Sequence, residues 1–158
     1  DRVIRLLPQL LSRHSLMYVI VGRGDDQQRL ESLTRELGVH NFVLFVEDAP
    51  AEELPLIYRM ADVFVMPSTG EGFGIVFLEA AASGVAVIGG NQDGSVDALM
   101  DGKLGALVNP ENSEELLAAI ERALDSPKPL KPQAVENFLM AHFAGHTYAM
   151  IKDYESKK

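Results

Sequence analysis

Five short apolar runs, at residues 16–21, 42–46, 63–66, 85–88 and 106–108, alternate along the chain with segments of helical period. The runs are rich in β-branched residues and lack strict polar alternation, as strands do when both faces of a parallel sheet are covered. Strands that alternate with helices define repeated βα units. The pattern therefore predicts an α/β domain on a parallel sheet, with residues 63–66 as a central strand.

The helix ends are also legible. Asp1, Arg2 and Arg5 already belong to an amphipathic helical pattern with no strand or cap before it, as in a piece of something longer. Asp25 and Asp26 can cap a helix that carries Leu30, Leu33 and Leu37 and stops at Gly38. Pro50 or Ala51 opens a second, with Glu52 and Glu53 at its positive end and Pro55 in its first turn. A third is expected over 74–83, ending at Gly84. Asn112 with Glu115 three residues on resembles a capping box before Leu116, Leu117 and Ile120. Pro127, Pro129 and Pro132 then form a linker, beyond which 134–142 and 146–154 read as terminal helices. The organisation expected is one domain over residues 1–158, with a last helix within 143–158 that is open to displacement.

Composition excludes several classes. A length of 158 residues, 47% of them hydrophobic, suits one domain with its own core. A net charge of −9 argues against a nucleic-acid binder, which needs a basic face. The absence of cysteine removes disulfides and thiolate zinc sites and fits a reducing cytoplasm. No run approaches the roughly 18 apolar residues of a membrane span, and no signal peptide is visible.

The chemistry concentrates in Glu71-Gly72-Phe73-Gly74-Ile75-Val76-Phe77-Leu78-Glu79, which follows the apolar run 63–66 and leads into a small-residue helix. A helix N-terminus at Gly74 would expose unpaired N–H groups, a ready anion site. Glu71 and Glu79 add two hydroxyl acceptors, so one segment suits both the phosphates and the hydroxyls of a sugar nucleotide. Two other readings stay open here: the carboxylates as a glycosidase acid and base, and Glu79 as a solvated helix residue beside Ala80, Ala81 and Ala82.

Other features are weaker. Gly22-Arg23-Gly24 after an apolar run partly matches a dinucleotide fingerprint, but Gln27 stands where its third glycine belongs. A plain strand-to-helix turn at a crevice edge is the competing account. Asp93-Gly94-Ser95-Val96-Asp97 forms a second glycine turn whose N–H groups are expected either to hold a phosphate or sugar group or merely to start a helix. His142 and His146 share a helical face, but Gly145 separates them and no acid stands at a zincin spacing, so solvated histidines are expected and no metal site. Ala81 breaks the nucleophile-elbow pattern around Ser83 and Gly84.

Together these segments resemble one family. Val63-Phe64-Val65-Met66-Pro67-Ser68 followed by Glu71 to Ala80 resembles the E-x7-E signature of retaining GT-B glycosyltransferases, more narrowly the "glycosyl transferases group 1" domain of family 4. Val21 to Gly24, Tyr58 to Asp62 and Gly102 to Pro110 extend the likeness over roughly residues 3 to 125. The resemblance implies a three-layer sandwich with a parallel Rossmann-like sheet, the C-terminal, donor-binding half of a GT-B enzyme. It places Glu71 on the hydroxyls of the donor sugar as the catalytic-site carboxylate and Glu79 on the ribose. Gly72, Phe73, Gly74 and Ile75 would meet sugar and diphosphate, with Gly22, Val46 and Gly94 completing the donor site and Val46 beside the base. Where the family has two glycines and a glutamate after the next strand, this chain has Asp93-Gly94 and Asp97.

The function implied is transfer of a sugar from a nucleotide-diphosphate donor to an acceptor hydroxyl with retention, without a metal or other cofactor. The acceptor (glycan, lipid or small molecule) would bind an N-terminal half outside this sequence, and the parent enzyme could touch a membrane peripherally. The family's diphosphate-binding arginine and lysine also fall upstream of Asp1, so the fragment is expected to fold without catalysing. Two rivals are a half of a non-hydrolysing nucleotide-sugar epimerase and a non-catalytic nucleotide-sugar-binding module.

Overall fold

In the computed structural model, which describes residues 1–129 and 133–138, the apolar runs become strands and the periodic segments become helices. The strands are β1 (Tyr18–Val21), β2 (Val43–Val46), β3 (Val63–Met66), β4 (Ala86–Gly90) and β5 (Ala106–Val108). The helices are α1 (Arg2–Leu11), α2 (Gln27–Glu36), α3 (Leu54–Met60), α4 (Ile75–Ala82), α5 (Ser95–Ala98) and α6 (Ser113–Asp125). Every ladder is parallel, with Val21 opposite Val46, Met66 opposite Gly89, and Gly90 opposite Val108.

The strands form two sheets among the described residues, β1-β2 and β3-β4-β5. The expectation of a central strand at 63–66 is therefore corrected: β4 is central in its sheet and β3 is an edge. Burial follows that order. Val87 to Gly90 of β4 are buried, whereas every residue of β3 is only half-buried. A crevice of about 200 Å³ lies between Tyr18 of β1, residues 65–68 at the end of β3, and the first residues of α1.

Side-chain alternation sorts each strand of the larger sheet between two cores. Val63, Val65, Ile88 and Val108 pack with α1, α2 and α6. Phe64, Met66, Val87 and Leu107 pack on the opposite face with α4 and α5. Those are the three layers expected. Tyr18, Ile20 and Val43 of the smaller sheet join the first core, but Val19, Val21 and Leu44 on its other face are exposed.

Local ends differ from expectation in detail. Asp26 stands at the cap of α2 without a side-chain cap bond and instead pairs with Arg29. Helix α3 opens at Leu54, since Ala51–Glu53 form a turn and Pro55 occupies the first helical positions. The side chain of Asn112 accepts from the Glu115 N–H at 3.1 Å, which is one half of the capping box. Residues 133–138 form a 3₁₀ turn in place of the start of an α-helix. The expected helix 146–154, with His142 and His146, lies outside the described residues.

Candidate functional site

Parallel strands end together, so each sheet gathers the loops that follow its strands along one edge. The N-terminal residues Asp1 and Arg2 tie together segments that follow strands of both sheets. Asp1 pairs with Arg29 in the first turn after β1, at 3.4 Å, and Arg2 pairs with Glu111 just beyond β5. Ligands of open α/β sheets bind outside the carboxyl ends of the strands. The candidate residues Gly22, Val46, Glu71 to Ile75 and Gly94 all follow or finish strands at this edge.

The loop after β3 descends into α4 through Gly74, which sits at the N-cap with φ of +84°. A Cβ there would meet the Phe77 ring at 2.5 Å and Glu71 Cγ at 3.1 Å, so the turn requires glycine twice over. Phe77 is fully buried beneath it and holds the start of α4 against the sheet. Among the described residues, no protein acceptor meets the N–H groups of Gly72, Phe73, Gly74, Ile75 and Val76. Phe73 and Ile75 are exposed. N–H groups at the positive end of a helix suit an anion.

Glu79 lies on α4 and is exposed. Its Oε2 accepts from the Tyr58 hydroxyl at 3.0 Å, and ionised carboxylate oxygens retain capacity for further donors. Burial first, then this bond to Glu79, raises the Tyr58 pKa well above its ordinary value. The Tyr58 ring is itself set edge-on against Phe64, which is edge-on to Phe77. The aromatic stack thus leads from α3 through β3 to α4 and delivers one hydroxyl to Glu79. Tyr58 and Glu79 are 21 positions apart, and nothing in the sequence pairs them.

Glu71 is half-buried. Its N–H donates to Asp93 Oδ2 at 2.8 Å and its carbonyl accepts from the Gly94 N–H at 3.0 Å. Asp93 also accepts from the Ser68 hydroxyl, from the Ser95 N–H at 3.0 Å and from the Ser95 hydroxyl at 2.6 Å. Desolvation opposes ionisation of Asp93. The bonds from Ser68, Ser95 and the two backbone N–H groups outweigh it and hold the carboxyl down at about 2. Of the two accounts of the second glycine turn, these bonds favour an ordinary helix start over an anion site. The Gly94 and Ser95 N–H groups are already taken, by Glu71 and by Asp93, and the Val96 N–H is bonded to the Asp93 carbonyl. An internal carboxylate occupies the place proposed for an external anion. The Asp-Gly-Ser order is itself a turn and cap signature, the signal by which Asp93 could have been found.

At the ends of the smaller sheet, the Gly22 N–H donates to the Val46 carbonyl at 2.9 Å and so prolongs the β1-β2 ladder. Glu47 accepts from Gln27 Nε2 at 3.1 Å, and Arg23 pairs with Asp48. Gly22 and Val46 thus make a rigid rim with a charged fringe. Among the described residues, no group of three or more His, Cys, Asp or Glu could hold a metal ion, and no helix is long and apolar enough to cross a membrane.

Similarity to known proteins shows the family and the fold. The family described as "Glycosyl transferases group 1" matches residues 1–137. The GDP-mannose-dependent alpha-(1-6)-phosphatidylinositol monomannoside mannosyltransferase of Mycolicibacterium smegmatis is 38% identical over 136 residues, covering 81% of this chain and 36% of the relative. The D-inositol 3-phosphate glycosyltransferase of Corynebacterium aurimucosum is 36% identical over 132 residues, covering 79% and 31%. The chain thus spans about a third of the length of these curated relatives. Among solved structures, sucrose-phosphate synthase from Thermosynechococcus elongatus superposes with a TM-score of 0.81 at 26% identity, covering 99% of this chain and 42% of that one. Anabaena HepE in complex with UDP-glucose superposes with 0.69 at 25% identity, covering 78% and 35%. The chain belongs to the group 1 glycosyltransferases, on a GT-B Rossmann-like domain.

Proposed function

We propose that this chain is the donor-binding part of a retaining glycosyltransferase and takes a nucleotide-diphosphate sugar at the carboxyl edge of its sheet. The observation that carries this reading is the row of N–H groups from Gly72 to Val76, unpartnered among the described residues, with Glu71 before it and Glu79 behind it. The N–H groups receive the diphosphate. Glu79, steadied by Tyr58, accepts from the ribose hydroxyls, and Glu71 accepts from hydroxyls of the transferred sugar. Gly22 and Val46 border the base. Gly94 serves by letting the loop of Glu71 approach, since a Cβ there would stand 2.0 Å from the Gly72 carbonyl oxygen. The acceptor (glycan, lipid or small molecule) binds a further part of the protein, in keeping with relatives about three times as long. That parent works in the cytoplasm or at a membrane surface and needs no metal, because backbone dipoles and basic side chains compensate the diphosphate. The UDP-glucose held by the HepE relative supports the ligand class.

Calorimetry with UDP and UDP-glucose, and with GDP and GDP-mannose, tests the assignment. Glu79→Ala is expected to weaken nucleotide and sugar nucleotide alike by about 1.5–3 kcal/mol, the worth of hydrogen bonds to a charged acceptor. Glu71→Ala is expected to weaken only the sugar-bearing ligands. Equal losses for both ligand types in both variants would show that the two carboxylates do not divide the donor in this way.

A further inference from the structure

We infer that Asp93 is a positioning residue that fixes the direction in which Glu71 meets the donor sugar. The inference rests on the role of Glu71 given under the proposed function, and adds a residue to it that acts from the other side of the loop.

Glu71 belongs to a loop, and apart from these contacts the loop has little to hold it. Gly70 and Gly72 flank it, and among the described residues the other hydrogen bonds of residues 67–73 stay within the loop or run to Asp93: the Ser68 N–H to the Met66 carbonyl at 2.9 Å, a 3.4 Å approach of the Gly70 N–H to the Ser68 hydroxyl, and the Ser68 hydroxyl to Asp93. Its peptide groups are nevertheless gripped on both sides by two consecutive residues. The Glu71 N–H donates to Asp93 Oδ2 at 2.8 Å, and the Gly94 N–H donates to the Glu71 carbonyl at 3.0 Å. The pairing resembles a short two-bond ladder between loops, and it fixes where Cα and Cβ of Glu71 point.

Asp93 is held in turn, which makes it a firm support. Its Oδ1 takes the N–H and hydroxyl of Ser95, a fully buried residue, and its Oδ2 takes the Ser68 hydroxyl. Ser68 belongs to the loop after β3 and Ser95 opens α5 after β4. One carboxylate therefore locks the loops that follow two neighbouring strands. The close approach of Gly94 to Gly72 removes the room in which the loop could shift. A carboxylate is needed because two oxygens must each accept from two donors. An asparagine would present an NH₂ to one of those pairs.

Two measurements on the 158-residue chain test this. The first is backbone amide exchange by NMR, in which Glu71 and Gly94 are expected to be protected relative to Gly72 and Phe73. The second compares binding of UDP with UDP-glucose, and of GDP with GDP-mannose, in the wild type, Asp93→Asn, Glu71→Ala and the double variant. Asp93→Asn is expected to reduce the extra affinity conferred by the sugar about fivefold, the scale of one lost hydrogen bond, with nucleotide affinity within twofold of wild type. In the Glu71→Ala background it should cost nothing further, because the two residues act as a unit. Ser68→Ala, which removes one brace and leaves both backbone bonds, should give a smaller loss of the same kind.

A loss shared equally by nucleotide and sugar nucleotide, or one that adds to that of Glu71→Ala, would reduce Asp93 to a structural residue and overturn the inference. Unprotected amides at Glu71 and Gly94 would overturn it without any ligand. If Glu71→Ala leaves the sugar contribution unchanged, or neither ligand pair binds, the reading of Glu71 falls and the inference with it. Amide protection that survives this result would show that the clamp exists for another purpose.

Discussion

A carboxylate that accepts from two hydroxyls and two backbone N–H groups is stabilised in its charged form at each contact, and Asp93 carries the consequence into the pH dependence of folding. Its pKa falls from 3.8 in an unstructured chain to about 2 here, so the folded state binds this proton less readily than the unfolded one. A depressed carboxyl contributes stability above the unfolded value and loses it as pH drops through the folded value. The urea midpoint of the wild type is thus expected to exceed that of Asp93→Asn by a margin that is constant above about pH 5 and shrinks from there toward pH 2. A margin that does not change with pH would show that Asp93 works by shape alone. Gly74 makes a different kind of demand. Gly74→Ala is expected to lower stability by about 2–4 kcal/mol, from the left-handed backbone and from the clash with Phe77, as read by urea unfolding. Gly74 and Asp93 both carry local marks, the glycine turn and the Asp-Gly-Ser order, but only Gly74 is explained by its residue type. The role of Asp93 depends on a loop 22 positions earlier in the chain.

At the level of elements, apolar runs translated closely. The bounds of β3 and β5 match the runs at 63–66 and 106–108, because β-branched residues flanked by turn formers leave little latitude. Helix starts were less legible. Helix α3 opens late since Pro55 belongs in a first turn, and several residues upstream could supply the cap. Helix α5 is only four residues long because the chain turns left-handed at Met100 and Asp101, with φ of 50° and 54°. Nothing in those residue types announces that turn. The two faces of the larger sheet make a comparison possible between α1 and α4. Leu7 is 1% exposed in the first core and Phe77 is 0% exposed in the second. Leu7→Ala is expected to cost about 2–5 kcal/mol and Phe77→Ala about 3–5 kcal/mol. Since successive residues of β3, β4 and β5 enter opposite cores, both variants should lower one common unfolding transition in calorimetry. Two separable transitions would mean that the cores fold independently.

For the molecule as a whole, the proposed donor site needs only the carboxyl edge of this chain, while catalysis needs donor and acceptor positioned together. The N-terminus of α4 supplies a partial charge worth about 0.3–1 kcal/mol at an exposed site. The purified chain is therefore expected to bind a sugar nucleotide weakly, near the millimolar range or about −4 kcal/mol. Sugar transfer and donor hydrolysis should stay at background, and turnover by this chain alone would defeat its assignment as one part of the enzyme. The alternation of strands and helices, the parallel class and the segment from Glu71 to Glu79 were all determined by the sequence, since each depends on residues close together along it. Only the tertiary structure decided the rest. Ladder order made β4 central and β3 an edge, although both read as equally apolar runs. It brought the Tyr58 hydroxyl to Glu79, and the Glu71 N–H and Ser68 hydroxyl to the carboxylate of Asp93. A parallel sheet places strands by crossover packing and not by their own composition, so partners that meet across its carboxyl edge leave no local pattern in the chain.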